Sequence, residues 1–366
     1  MANERFACIL CNGSLRDFFC RKQYPITCSP PTNTQPFTED IFADQNFSVC
    51  NICSCVQLKN LINPSLLYST AHNNTFNTPT WLEHHNKFLN FIFNKVSHTS
   101  ITEIGGSGKL FELLNRSDIN YTCLDISAPT VKVYGVNYIV GNCETYNYSG
   151  LETIVMSHVF EHLYNPHVFL NTILQGGVKH VYISIPNMKA LIDSNTVNII
   201  NNEHTFYIDK ESIIWLFNQH GYSPVDIFEY KTHSLFIYFS KIETTIINKL
   251  PLSRRLYVEN SLYNLFLKET SRLSNIIIKP NSFIAPAGIY GQFVIYCCKP
   301  KNILGFLDND LSKQGHRVYG TSYFIYEFDE LAKYSNITIY LWDGQYTDEL
   351  IKQIKSYPIN SEIIII

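Results

Sequence analysis

The sequence predicts an α/β protein in three parts, and three observations carry that prediction. Residues 100–125 read as a short apolar strand, a glycine turn at Gly105, Gly106 and Gly108, a helical stretch over 110–114, and a second strand ending on Asp125. Apolar runs then alternate with helical stretches as far as residue 239. That alternation describes a doubly wound sheet whose ligands bind at the carboxyl ends of its strands. Two Cys-x-x-Cys pairs, Cys8/Cys11 and Cys50/Cys53, mark a separate N-terminal module.

From the amino terminus, the first sixty residues are cysteine-bearing, proline-rich and short of helical periodicity. The two pairs are separated by 38 residues and offer four thiolates to one tetrahedral ion, the arrangement of a structural zinc ribbon. With all four positions filled by protein, such an ion builds structure and activates no water. Scattered free thiols are the rival reading. Cys20 and Cys28 lie in the spacer and leave open whether one of them replaces a ligand, and Cys55 reads as a buried spare.

A helix over 80–96 carries an apolar stripe of Trp81, Phe88, Leu89 and Ile92. Beyond the glycine-turn unit, strands are expected at 138–142, 151–156 and 181–185, the last closed by Pro186-Asn187. An amphipathic helix over 211–220 stops at Gly221, and 225–230 with 235–239 read as an antiparallel pair closing the sheet. Residues 242–275 read as a helical connector with Arg254, Arg255, Lys268 and Arg272 on exposed faces. From Phe283 a smaller α/β pattern begins. It comprises a Gly288-x-x-Gly291 turn, strands over 303–307 and 337–341, a helix over 347–356, and a last buried strand at the terminal isoleucines.

Of 366 residues, 45 % are hydrophobic and 16 % charged, so the chain forms cores and is not disordered. The net charge of −3 provides no basic field, which argues against nucleic acid as the main partner. The opening residues lack the order of an export signal, and no apolar run reaches spanning length. Eleven cysteines then suggest reduced thiols in a cytoplasmic setting.

Glu103 stands directly before the glycine turn, where a carboxylate would repel a pyrophosphate. The third glycine of a dinucleotide fingerprint is also missing, because Lys109 and Leu110 follow Gly108. A cationic ligand suits the turn better, and S-adenosylmethionine carries a sulfonium and an ammonium. Asp125 is placed to accept from a ribose diol. The expected cofactor contacts are Glu103, Gly105, Gly106, Gly108, Asp125, Ile126, Asn142, Ser157 and His158. Two Glu-His pairs lie just past strand ends, Glu161-His162 and Glu203-His204. A histidine beside a glutamate can be held in one tautomer and made more basic, as proton abstraction near neutral pH requires. The blander alternatives place His158 at a helix start and His162 on a helix surface. His204, in a loop, is the stronger functional candidate. Neither pair has the histidine spacing of a zincin helix.

In their order the motifs resemble the zinc-containing C-methyltransferases of nucleotide-linked deoxysugars. They are two Cys-x-x-Cys pairs, Val56-Gln-Leu, Asn63-Pro-x-x-x-Tyr68, a helix with Trp81 and His84, Glu103-Ile-Gly, His158-x-x-Glu-His-x-x-x-Pro, Ile185-Pro-Asn and Glu203-His-x-x-Tyr. Ala285-Pro-Ala-Gly, Asp308-x-x-x-x-Lys-Gln-Gly and Gly320-Thr resemble that family's final domain. The resemblance implies a zinc-binding module over 1–62, a class I methyltransferase sheet over 63–241, a helical connector over 242–276 and a Rossmann-like module over 277–366. It also implies a chemistry. A ketosugar carried on a nucleoside diphosphate loses the proton next to its carbonyl, and the enolate takes the methyl group of S-adenosylmethionine. His204 matches the general base, with Glu203 beside it. His162 matches a residue lining the sugar pocket, and Tyr68 is the nearest match to a contributing tyrosine.

The substrate is expected in a cleft between the central sheet and its flanking modules. Lys313 and Arg317 would help hold the diphosphate there, or are solvated surface charges. A monomer or small homo-oligomer is expected, with no membrane contact. Two positions depart from the family. Ser107 and Lys109 thin the glycine turn, and Asn201 stands where the family often has a tyrosine. Asn201 must then serve with its amide, or the reaction differs; O-methylation of a sugar hydroxyl needs a base and no enolate stabiliser. A non-catalytic nucleotide-sugar-binding protein on the same fold is the rival from another class. An NAD-linked oxidoreductase is disfavoured by Glu103 and the missing glycine.

Overall fold

The structure is a computed structural model that describes residues 3–28, 36–68, 79–129, 131–243, 252–344 and 346–366, leaving aside the side chains of 3, 79 and 252–259. Arg254 and Arg255 therefore lie outside the described side chains. The chain divides into two compact units. One comprises Met1–Phe18, Asn46–Ser194 and Glu203–Ser261, the other Phe19–Gln45, Asn195–Asn202 and Leu262–Ile366.

The amino-terminal segment forms β1 (Leu15–Pro25) and β2 (Phe42–Cys50). In the first unit, β3 (Val56–Leu58) pairs antiparallel with the end of β2, placing Phe47 opposite Leu58. Helix α1 (Pro79–Phe93) follows, ending earlier than the sequence suggests. Then come β4 (Ser100–Ile104), α2 (Lys109–Leu114), β5 (Asn120–Asp125), β6 (Val136–Val140), β7 (Thr153–Ser157), α3 (Pro166–Gly176) and β8 (His180–Pro186). The unit continues with β9 (Phe206–Tyr207), α4 (Lys210–Gln219), β10 (Tyr222–Tyr230) and β11 (Ser234–Lys241). The short β9 pairs antiparallel with β3.

Seven of these strands form one sheet in the order β10-β11-β8-β7-β4-β5-β6. The strands from β8 to β6 are parallel, and β11 inserts antiparallel between β8 and β10. Strand order reverses between β4 and β7, the place where a Rossmann-like sheet opens its ligand crevice. Alternation along each strand divides the core in two. Val155, Tyr182, Phe236 and Tyr238 join Phe88 and Ile92 of α1 on one face. Ile154, Met156, Ile183 and Ile237 join Phe169, Ile173, Leu216 and Phe217 of α3 and α4 on the other. The helices are set by their ends. Asn165 caps α3 through Val168 N, Pro166 occupies the first turn, and Gly177 closes it at φ 84°. Asp209 caps α4 through Ser212 N.

Helix α5 (Leu252–Ser274) begins in the first unit, and its residues from Leu262 open the last segment of the second, which continues with β12 (Ser282–Ala285), α6 (Ile289–Cys298), β13 (Gly305–Leu307), β14 (Ile325–Tyr326), β15 (Ile337–Leu341), α7 (Thr347–Lys355) and β16 (Ser361–Ile365). These five strands are parallel in the order β14-β13-β12-β15-β16. The expected 288–291 turn is shorter than its two glycines suggest. Gly288 precedes α6, but Gly291 lies within it, where a Cβ would meet the Phe306 ring at 2.6 Å. The terminal strand is an edge with alternating exposure, half-exposed at Ile365 and not buried throughout. Among the described residues no helix is long and apolar enough to cross a membrane.

Candidate active site

The glycine turn is the first component of the site, and each of its glycines is demanded by a different neighbour. A Cβ on Gly105 would lie 2.4 Å from Val159 Cγ2, one on Gly106 2.0 Å from the Glu103 carboxyl carbon, and one on Gly108 2.6 Å from Tyr138 Oη. Glu103 thus lies against the turn. Its carboxylate accepts from Tyr121 Oη at 3.0 Å and from the Cys123 thiol at 3.4 Å. Burial pushes this carboxyl up to about 7, against the pull of those donors and of a Gly108 N–H. A cation arriving at the turn would hold Glu103 ionised. Lys109, one of the two departures in the turn, pairs along α2 with Glu112 Oε2 at 2.7 Å.

Asp125 ends β5, and its Oδ1 accepts from Ser127 N at 2.8 Å and Ser127 Oγ at 3.1 Å. Its Oδ2 accepts no hydrogen bond among the described residues. Ile126 is exposed, and Asn142 turns its Oδ1 to Glu144 N at 2.9 Å just beyond β6. Ser157 ends β7 with its Oγ buried and without a hydrogen-bond partner among the described residues. His158 follows in the left-handed region at φ 55°. The expected helix start is a 3-10 turn, Phe160–His162, and α3 begins only at Pro166. His162 therefore closes this short 3-10 turn and is not on the surface of α3.

The second component gathers the two Glu-His pairs. The Tyr68 hydroxyl lies 3.3 Å from His162 Nδ1, and Glu203 Oε2 lies 4.0 Å from the same nitrogen. The His162 and His204 rings are 5.2 Å apart at 53°. Ligand atoms of Glu161, His162 and His204 all lie within 4.8 Å of one another. Burial raises the Tyr68 hydroxyl well above the usual phenol range, with Glu203, Glu161 and Asp125 adding to the effect. The phenol therefore keeps its proton at neutral pH. Glu161 is 2 % exposed, neither of its oxygens accepts a hydrogen bond among the described residues, and burial pushes it up to about 7.

One organising residue has no signal in the sequence. Arg5 donates to the main-chain oxygens of Thr205 at 2.6 Å and Tyr164 at 2.9 Å, and to Thr205 Oγ1 at 3.1 Å. Thr205 N donates to Glu161 O at 3.0 Å. These bonds tie the loop of His162 to the loop of His204. The guanidinium is buried without a carboxylate partner in that set, and burial lowers it to about 10.

The four cysteines converge. Cys8 and Cys53 sulfurs are 3.4 Å apart, Cys11 and Cys50 sulfurs 3.5 Å, and all four lie within 4.8 Å. A tetrahedral site with Zn–S bonds of about 2.3 Å needs sulfurs about 3.8 Å apart, so the set fits such an ion. Main-chain N–H groups of Leu10, Ile52 and Cys53 point at Cys8 and Cys50 sulfurs at 3.3–3.4 Å, as a thiolate cluster requires. Cys55 instead donates to carbonyl oxygens of Val56 and Tyr207. Cys8, Cys50 and Cys53 share a core cluster with Phe160 and Phe206, which flank the two histidine loops.

Three other residues singled out by the sequence have polar partners within their own unit. Arg317 is buried in an ion pair with Asp40 of its own unit, bonding Asp40 Oδ1 at 2.6 Å. Lys313 bridges Asp308 and Asp310 at 3.1 and 3.5 Å. Both cations are thus paired with carboxylates, and neither is a freely solvated surface charge. Asn201 donates its amide to Asn198 O at 3.1 Å.

No protein-family model matches the chain, and no curated protein matches it. Solved structures do. The Burkholderia thailandensis 1,6-didemethyltoxoflavin-N1-methyltransferase is 10 % identical over 46 % of this chain and 80 % of that one, with a TM-score of 0.36. The N-methyltransferase NodS from Bradyrhizobium japonicum is 13 % identical over 46 % and 90 %, TM-score 0.35. An S-adenosylmethionine-dependent methyltransferase from Mesorhizobium loti is 10 % identical over 45 % and 99 %, TM-score 0.35. These likenesses are shallow, and the functional reading rests on the residues.

Proposed function

We propose that this chain is an S-adenosylmethionine-dependent methyltransferase that methylates a carbon next to the carbonyl of a nucleotide-linked ketosugar. The observation that carries the proposal is the meeting of Tyr68, His162, Glu203 and His204 at the carboxyl edge of the sheet, beside a glycine turn with a buried carboxylate against it. S-adenosylmethionine supplies an electrophilic methyl group on a sulfonium, matched by Glu103, while Asp125 Oδ2 is open to a ribose hydroxyl. His204 takes the proton from the carbon next to the carbonyl. The oxyanion that develops needs donors. The Tyr68 phenol donating to His162 Nδ1 leaves His162 Nε2–H to donate to that oxygen. The enolate carbon then forms its bond to the methyl carbon as the carbon–sulfur bond breaks. His204 ends protonated, and Glu203 offsets that charge.

Cys8, Cys11, Cys50 and Cys53 would hold a structural zinc ion that anchors the module against the histidine loops. The enzyme would act in the cytoplasm as a monomer or small homo-oligomer on a small substrate, not on nucleic acid or a membrane. Incubation with methyl-labelled S-adenosylmethionine and a panel of nucleotide-linked 4-ketosugars tests the reading. Label in a carbon–methyl bond supports it. Label on a sugar oxygen makes this an O-methyltransferase, and cofactor that fails to bind makes it a binding protein on the same fold.

A further inference from the structure

A second histidine cluster neighbours the His162–His204 pair across Glu161, and the proposed methyl transfer assigns no step to its three imidazoles together. His84 comes from α1, His158 from the loop after β7, and His233 from the turn joining β10 to β11. Their ring centroids form a nearly equilateral triangle, with sides of 5.4, 5.5 and 5.3 Å. One ring nitrogen from each lies within 4.8 Å of the other two. We propose that His84, His158 and His233 form a metal centre for a divalent transition-metal ion such as Zn2+ or Co2+, leaving one coordination position to water or a small donor.

The second shell is already in place. His84 Nε2 bonds Ser184 Oγ at 2.9 Å, His158 Nε2 bonds Ser234 Oγ at 2.8 Å, and His233 Nδ1 bonds the same hydroxyl at 2.5 Å. Glu161 Oε1 stands 3.4 Å from His158 Nδ1. Metal-binding imidazoles are commonly oriented this way, with a polar neighbour fixing each ring and its tautomer. The remaining nitrogen of His84 is the telling one. His84 is 0 % exposed, and its Nδ1 has no hydrogen-bond partner among the described residues. A buried ring nitrogen left unmatched costs free energy, and a cation accepts its lone pair directly.

The surroundings suit a ligand-binding imidazole set. Trp81 lies 5.0 Å from His84, 5.0 Å from His158 and 4.8 Å from His233, walling one side of the triangle with an aromatic ring. His158 and His233 are only partly buried, which gives an ion a way in. Three nitrogen donors favour borderline ions over Mg2+ or Ca2+, which take oxygen. The centre is distinct from the four-cysteine cluster in ligand type, and it stands whether or not the methyl-transfer reading does. Occupied, it would fix His158 and thereby the Glu161 segment that precedes His162.

Co2+ uptake by the full-length protein tests this, with bound metal counted after removal of excess ion. Cobalt on thiolates gives intense near-ultraviolet charge transfer, whereas cobalt on three imidazoles gives only weak visible bands. The expected result is an equivalent without thiolate charge transfer that quenches Trp81 emission, a quench missing from Trp81→Phe. His84→Gln and His233→Asn should each hold one equivalent fewer than the wild type while keeping the thiolate-bound ion. Retention of that ion also reports that the variant has folded. If His84→Gln does not fold, His233→Asn, on a partly exposed turn, decides alone. A wild type holding only thiolate-bound metal overturns the proposal, as does a metal count unchanged in the folded variants.

Discussion

The Arg5 guanidinium donates to the Thr205 main-chain oxygen at 2.6 Å, closing a span of 200 residues beside His204. Its second nitrogen reaches Tyr164 O, so one cation holds the backbone after both Glu-His pairs. Removing it strands buried carbonyl oxygens, each of which costs about 1–3 kcal/mol when unsatisfied. Arg5→Met should therefore lower stability by about 2–4 kcal/mol in urea unfolding. It should cut kcat at least tenfold while S-adenosylmethionine affinity in calorimetry stays within threefold. Equal losses in cofactor affinity and kcat would contradict the assignment of Arg5 to the histidine loops.

The buried carboxyl groups give stability a pH dependence with a defined sign. Glu103 is raised from the ordinary 4.5 to about 7 by burial. Between those values the folded chain holds a proton that the unfolded chain has released. Stability therefore falls as pH rises from about 4.5 to about 7 and levels off above. Glu103→Gln removes this group's share, of order 3 kcal/mol for a shift of that size, and should flatten the curve in urea melts from pH 4 to 8. Glu161, raised in the same way, leaves a residual slope. An unaltered curve in Glu103→Gln would contradict the account.

Gly106 should tolerate nothing larger. An added Cβ would meet the Glu103 carboxyl at 2.0 Å. Gly106→Ala is expected to cost about 1–3 kcal/mol by overpacking and to weaken S-adenosylmethionine binding more than tenfold in calorimetry. A second change, Glu103→Ala, should restore stability without restoring cofactor binding, because the counter-charge for the sulfonium is gone.

The cysteine cluster shares a core with Phe160 and Phe206, so metal removal should be felt at the histidine loops. Cys50→Ser is expected to lose zinc and to lower Tm by about 10 °C or more, given the folding free energy such ions carry. A fully active, thermally unchanged Cys50→Ser protein would show that the cluster holds no structural ion.

What the sequence disclosed depended on how each segment is buried. β4 is legible at both ends and β5 at its last residue, because parallel strands covered on both faces read as apolar runs, punctuated here by the glycine turn and by Asp125. β6 starts earlier than expected because its half-exposed residues blur that signal. β1 and β2 are not legible because Arg16, Asp17, Arg21 and Lys22 break up the apolar signal of β1, and Asp44, Gln45 and Asn46 interrupt β2. The pairing of Glu161-His162 with Glu203-His204 could be anticipated, since both follow strand ends at one edge. Arg5 could not, because its partners are main-chain oxygens that carry no residue identity. Nor could the His84–His158–His233 triangle, whose members come from a helix, a loop and a hairpin far apart in sequence.

Exchange of the substrate proton next to the carbonyl with deuterated water, followed by NMR in the presence of S-adenosylhomocysteine, tests the central claim most directly. Wild-type protein should exchange that proton without methylating the sugar, and His204→Ala should slow the exchange by about 10²–10⁴-fold, the range for loss of a general base, with its fold intact. Exchange at the wild-type rate in His204→Ala, or methylation of carbon by a wild-type protein that never exchanges the proton, would contradict it.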